Sequence, residues 1–318
     1  MKTLSRIWFG IPLVLLLLPL TAFAQNKTES VTVTGQTPES RTEILRTFIR
    51  SYVPEFTRSG KLARWSDPIC PFVVGLSPNE NMAVSERIKK DAQAVGAPVQ
   101  SRQSCRPNLV AVFVQDPQDL MAKMLAHHWS MAKILLGDTD GPMQARKVSK
   151  ITAPIQAWYR TGIKDREGRH IPNECDPIFG CAPVIANASN LDDELQSVFS
   201  HTFVVIDLGK IAGRQIGTIA DYAAMLTLVQ TSDFATCRNL PSITNLLVQD
   251  CEETLKTTTL SDADLAFMRG VYKANGGGRI NLQIEDILRE MEKSAAGRDV
   301  QLAAPVQPNS AASAPAAK

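Results

Sequence analysis

Ile69-Cys70-Pro71-Phe72-Val73-Val74-Gly75-Leu76-Ser77-Pro78-Asn79-Glu80 passes from the pattern of a strand to that of a helix within a single short stretch. Residues 69–76 are apolar enough for a strand. Ser77 then offers an N-cap hydroxyl, Pro78 suits the first helical position, and Glu80 stands three residues after the cap, the spacing of a capping box. Val84, Ile88, Ala92 and Val95 share one face of the helix that follows. The Gly96-Ala97-Pro98 turn ends it, and Leu109-Val110-Ala111-Val112-Phe113-Val114 reads as a strand buried on both sides. Strand, helix and strand in this order predict a right-handed parallel βαβ unit. Asp116-Pro117-Gln118-Asp119 caps a trailing helix that reaches about Leu136.

Outward from this unit, Ile44, Leu45, Phe48 and Ile49 are spaced for an amphipathic helix, so order is expected from about Ser40. Downstream, 153–162 and 198–208 are strand-like, with Ile155, Ala157 and Tyr159 alternating with Gln156, Trp158 and Arg160. Between them lies a long loop, 163–197, rich in Pro, Gly, Asn and Asp, and a natural place for a binding surface. From Ile216 onward the pattern is helical. Ile216, Ile219, Ala223, Leu226 and Val229 share a face, 241–248 is a short helix, Ser261-Asp262-Ala263-Asp264 is a capping box, and Gly276-Gly277-Gly278 precedes an amphipathic helix over 280–291. The fold class is therefore α+β: a mixed sheet with a βαβ unit in the N-terminal half, and a helical C-terminal half.

The first 24 residues have the three parts of a cleavable secretory signal: Lys2 and Arg6, an apolar core over 7–20, and Ala22-Phe23-Ala24 before a mature start at Gln25. Gly10, Pro12 and Pro19 interrupt the apolar run, which falls short of the ~20 residues a spanning helix needs. Residues 25–39 are expected to be a flexible polar leader or one edge strand; within them Val31-Thr32-Val33-Thr34-Gly35 resembles the segment by which outer-membrane receptors engage an energy-coupling protein. Residues 40–296 are expected to form one domain, with a subdivision near 210 left open, and 297–318 a disordered Pro/Ala-rich tail. No later segment reads as an integral membrane span, so the expected location is periplasmic or secreted.

The chain has 34 Lys+Arg against 32 Asp+Glu, and removal of Lys2 and Arg6 with the signal leaves the mature part formally neutral. A nucleic-acid partner would call for a clustered basic excess, so none is expected. Six cysteines in an oxidising compartment predict disulfides before metal ligands. Fifteen pairings exist for six cysteines. Nearest-neighbour pairing, Cys70–Cys105, Cys175–Cys181 and Cys237–Cys251, places one bridge in each successive segment. A zinc site would want a Cys-x-x-Cys pair, and no metal or other cofactor is expected.

Few residues offer chemistry. His127 and His128 are adjacent, with His128 on the apolar face of its helix and His127 at the margin, a core or boundary placement; His170 reads as a solvated loop residue. His201 is the best catalytic candidate of the four histidines, with Asp207 and Asp221 as carboxylates that could join it. Ser200 and His201 are strand neighbours and so face opposite ways, which does not suit a nucleophile–base pair. Gly209-Lys210-Ile211-Ala212-Gly213-Arg214 joins a strand to a helix, and its glycines with Lys210 and Arg214 could cradle an anion, although turn geometry also accounts for them. Asp192-Asp193-Glu194 lacks the alternation and glycine of a calcium loop.

Several phrases resemble an uncharacterised family of secreted proteins from Gram-negative bacteria: Leu62-Ala63-Arg64-Trp65 with Ile69-Cys70-Pro71, Cys105-Arg106-Pro107-Asn108, Ala220-Asp221-Tyr222-Ala223-Ala224-Met225, and Leu240-Pro241-Ser242-Ile243 with Leu260-Ser261-Asp262-Ala263-Asp264 and Tyr272. The likeness spans most of 40–293 and implies secretion without implying an activity. The order of mixed sheet, central helix and small helices also looks distantly like a zincin-type metalloprotease. The helix Ile216-Gly217-Thr218-Ile219-Ala220-Asp221-Tyr222 has no histidine where that family places two metal ligands, so the likeness implies a site that has lost its zinc. The reading that results is a non-catalytic secreted or periplasmic binding or structural protein with an unknown envelope component as partner; its rival is a hydrolase with a non-standard or degenerate metalloprotease-like site.

Overall fold

The two apolar runs around the capping box become neighbouring parallel strands, β1 (Pro71–Val74) and β2 (Leu109–Val114), in register from Pro71 beside Leu109 to Val74 beside Val112. The computed structural model describes residues 38–54, 60–100, 105–128, 146, 149–171 and 195–296. Between the two strands runs α2 (Pro78–Val95), begun by the reciprocal Ser77–Glu80 capping box and ended at Gly96 in the left-handed conformation (φ 85°). The strand–helix–parallel strand unit read from the sequence is present.

β2 pairs in parallel with β5 (Gln196–Asp207), which pairs antiparallel with β3 (Ile155–Lys164). β4 (His170–Ile171) turns back onto the end of β3. The sheet is mixed, five-stranded, and ordered β1-β2-β5-β3-β4. The stretch expected as irregular loop from residue 163 thus starts as a hairpin. Asp165 closes its turn: its backbone carbonyl accepts from Gly168 N–H and its side chain from Arg169 N–H, which lets His170 and Ile171 pair. A register shift between Arg160 and Thr161 opposes Ser200 on β5 and bends the two long strands.

Six α-helices are described: α1 (Pro38–Tyr52), α2, α3 (Pro117–His127), α4 (Ile216–Leu228), α5 (Asp262–Lys273) and α6 (Ile280–Ala296). The expected short helix near 241–248 is a 3-10 turn, Ile243–Leu247. One continuous apolar core joins α1, α2, α4, α5 and α6 to the sheet face built from Leu109, Ala111, Ile155, Ala157, Val204 and Ile206. The other face carries α3, with Met121 and Met124 against Trp158, Phe203 and Val205. Strand alternation splits the two cores, because successive side chains of β2, β3 and β5 fall to opposite sides.

Two close approaches show how tightly these layers are set. Gly75 leaves β1 at φ 103°, and a Cβ there would overlap the Phe113 carbonyl oxygen of β2. Gly270 lets α5 lie directly on α6, since a Cβ would come 2.9 Å from an Ile287 methyl carbon. At the far end of α5, Arg64 Nη1 donates to the carbonyls of Val271, Tyr272 and Ala274, closing the orphan end of the helix from outside.

Two of the expected disulfides are formed, Cys70–Cys105 just ahead of β1 and β2, and Cys237–Cys251 around the 3-10 turn. With sequence separations of 35 and 14, loop closure alone gives them roughly 4 and 3 kcal/mol of stabilisation. Cys175 and Cys181, the Asp192-Asp193-Glu194 cluster, residues 25–37 of the leader and the Pro/Ala tail lie outside the described residues, while α1 begins at Pro38, two residues before the expected start of order. No helix among the described residues is long and apolar enough to cross a membrane.

A further placement differs from expectation. His128 is exposed instead of lying on the apolar face of α3; the helix has ended by then (φ −133°), and the His128 N–H closes it on the Met124 carbonyl at 2.9 Å. The continuation of α3 toward Leu136 lies outside the described residues.

Candidate functional site

The least expected group in the apolar helical layer is a pair of aspartates. α4 is apolar on every side, with all residues from Thr218 to Leu228 buried, so a charged residue within it has no route to water. Asp221 is that residue, and it is fully buried. On the facing helix α2, the buried stripe Val84, Ile88, Asp91, Ala92, Val95 contains a second carboxyl, Asp91, which is 6% exposed.

Arg87, one turn before Asp91, supplies the counter-charge. Its Nη2 donates to Asp221 Oδ2 at 2.8 Å, its Nε lies 2.6 Å from Asp221 Oδ1, and the same Nε is 3.5 Å from Asp91 Oδ1. The Leu260 N–H, approaching α5, also reaches Asp221 Oδ2 at 3.4 Å. One guanidinium therefore serves two carboxyl groups at the junction of α2 and α4. Burial first, and then the negative charge of Asp221, push the Asp91 carboxyl up to about 7, while Arg87 and Lys90 pull it the other way. Asp91 Oδ2 is buried without a hydrogen-bond partner. A proton on Asp91 would relieve the opposition of two carboxylates at one guanidinium. A metal would need further ligands, and no grouping of three His, Cys, Asp or Glu side chains occurs among the described residues.

The residues singled out in the sequence are dispersed. His201 projects from β5 opposite Arg160 of β3, on the face that carries Trp158 and Phe203. Burial, then the nearby charges of Arg160 and Arg106, lower its pKa, and its Nδ1 is buried without a hydrogen-bond partner. Ser200 Oγ donates instead to the Arg160 carbonyl at 3.0 Å. Asp207 ends β5, and its Oδ1 accepts from the N–H groups of Gly209 and Lys210 at 3.0 and 3.2 Å. Those are amides that an anion cradle would use, and the chain's own carboxylate fills them. Lys210 Nζ sits 3.7 Å from Asp207 Oδ2, and Arg214 is exposed on the same turn. Asp221 belongs to the α2–α4 junction. His201, Asp207 and Asp221 thus have separate environments and separate partners.

Two further polar centres escaped the sequence reading. Asp67 Oδ1 accepts from Lys164 Nζ at 2.5 Å, while His170 Nε2 lies 3.4 Å from Asp67 Oδ2, so three distant residues pin the β3–β4 hairpin to the lead-in before β1. Lys164 is nearly buried, whereas His170 is 55% exposed. The second centre is sealed. Tyr52 Oη meets Ser242 Oγ and Thr244 Oγ1 at 2.9 and 2.8 Å, Ser242 Oγ donates to Asp264 Oδ1 at 2.6 Å, and the Ile243 N–H donates to Asp264 Oδ2 at 2.9 Å. Burial raises the Asp264 carboxyl, against the pull of these hydrogen bonds. An open cleft of about 530 Å³ lies between the end of α5 and α6, walled by the ion pair Lys273–Glu290 and by Asp286, Arg289 and Lys293.

Comparison with protein-family models, with curated proteins and with solved structures finds no match to this chain. Its chemistry rests on the geometry above.

Proposed function

We propose that the protein is a non-catalytic component of the bacterial envelope, periplasmic or secreted, whose disulfide-stapled domain binds or supports another envelope component. The observation that carries this reading is how the buried reactive groups are used. Asp221 is held by Arg87 and the Leu260 amide, Asp264 by Ser242, Ile243 and Ser261, and Asp207 by its own turn. Asp221 and Asp264 each fix one element to another, and Asp207 fixes the turn that follows β5. The signal-like pattern of residues 1–24 and two disulfides support the compartment. The resemblance to secreted proteins of Gram-negative bacteria agrees with it.

The exposed turn bearing Lys210 and Arg214 is the surface proposed for contact. A photo-crosslinking residue placed at Arg214 in the full chain, expressed in the cell envelope, tests the reading. Capture of one partner, reduced by Lys210→Ala but not by His201→Ala, supports it. Hydrolysis of a peptide or ester panel that is lost on His201→Ala would instead favour the hydrolase reading.

A further inference from the structure

We propose that Arg87, Asp91 and Asp221 form a proton-operated clasp: with a proton on Asp91 α2 is held firmly against α4, and its loss loosens the junction. With both carboxyl groups ionised, one guanidinium faces two carboxylates, and the junction holds a net negative charge among Val84, Ile88, Ile219 and Ala223. A proton on Asp91 removes that excess. It also turns an acceptor into a donor, so that Asp91 can hydrogen-bond to Asp221, whose Oδ1 makes only an ion-pair contact.

The charged groups facing Asp91 are few. Arg87 and Lys90 belong to its own helix, Asp221 comes from α4, and on α5 Arg269 spends its Nε on the Ala94 carbonyl at 3.1 Å. β1, packed beneath α2, contributes only Pro71-Phe72-Val73-Val74. Among the described residues only Arg87 makes ion-pair contact with both carboxyl groups; Lys90 adds a weaker pull on Asp91 from the same helix. Because the folded carboxyl titrates near 7 and the ordinary value is 3.8, the folded chain holds the extra proton between those values. The clasp is firm on the acid side and weakens as pH rises from about 4 toward 7, remaining slack above that. An envelope protein meets the pH of its surroundings more directly than a cytosolic one, so this window is one it would cross.

The test uses the full mature chain. Carboxyl-detected NMR titration places the Asp91 midpoint directly, and amide exchange of α2 and α4, corrected for the intrinsic rate, is measured at about pH 5.5 and about pH 8. The expected result is a midpoint near 7 and roughly tenfold greater protection on the acid side. Asp91→Asn, whose amide donates without ionising, should show the acid-side protection at both pH values. A midpoint below about 5 overturns the clasp. So does wild-type protection that does not change with pH, or an Asp91→Asn variant that keeps the wild-type pH dependence. The titration decides the matter in the native chain should the variant fold poorly.

Discussion

Arg87 reaches from a half-exposed position on α2 to Asp221, a residue of α4 with no exposure, and makes two nitrogen–oxygen contacts of 2.6 and 2.8 Å. The pairing is unequal: the cation can turn to water, but the carboxylate cannot. Arg87→Ala should therefore cost about 3 kcal/mol, the low end of the range for stranding a buried charge. The double change Arg87→Met with Asp221→Leu should recover most of that loss, because it removes the charge as well as its partner. Urea unfolding of the three proteins measures both effects.

Gly75 and Gly96 both have positive φ, yet only Gly75 lies against a neighbouring backbone. Gly96→Ala meets open space and should cost about 1 kcal/mol, the strain of the left-handed conformation alone. Gly75→Ala adds a collision with the Phe113 carbonyl to that strain, and should cost about 3 kcal/mol or more. Thermal or denaturant unfolding of the two variants side by side separates strain from overlap.

The Asp67 carboxyl bears a cost from partial burial, yet Lys164 and then His170 hold it below 3.8. A depressed carboxyl stabilises the fold above its unfolded value and loses that contribution as pH falls through the folded one. Asp67→Asn should therefore be less stable than wild type at neutral pH, and the two should converge as pH falls below about 3.8. Unfolding midpoints collected from neutral pH downward test this, and a gap that persists unchanged into acid would contradict the role given to Lys164.

The capping boxes at Ser77 and Ser261, the strand at Leu109–Val114 and the helical C-terminal half were legible because each depends on neighbours in sequence. The two paired disulfides followed the same local logic. The acidic junction also left a trace: Asp91 lies on the stripe of Val84, Ile88 and Val95, and Asp221 interrupts a helix apolar on every side. What the sequence did not show was that these two stripes face each other. Asp67, Lys164 and His170 carried less signal still, since a lead-in, a strand end and a two-residue strand meet only through the folding of the hairpin. His128 misled because helical phase was extended past the point where the helix stops.

The bridge between Cys70 and Cys105 has a mechanical consequence. It joins the chain immediately before β1 to the chain ahead of β2, making residues 71–104 a covalently closed detour that contains α2 and both Arg87 and Asp91. Tension applied along the chain passes from Cys70 to Cys105 across the sulfur atoms and never enters that detour. A protease that nicks within it leaves two ends still joined. The segment carrying half of the aspartate pair is thus shielded from pulling and from loss of its ends.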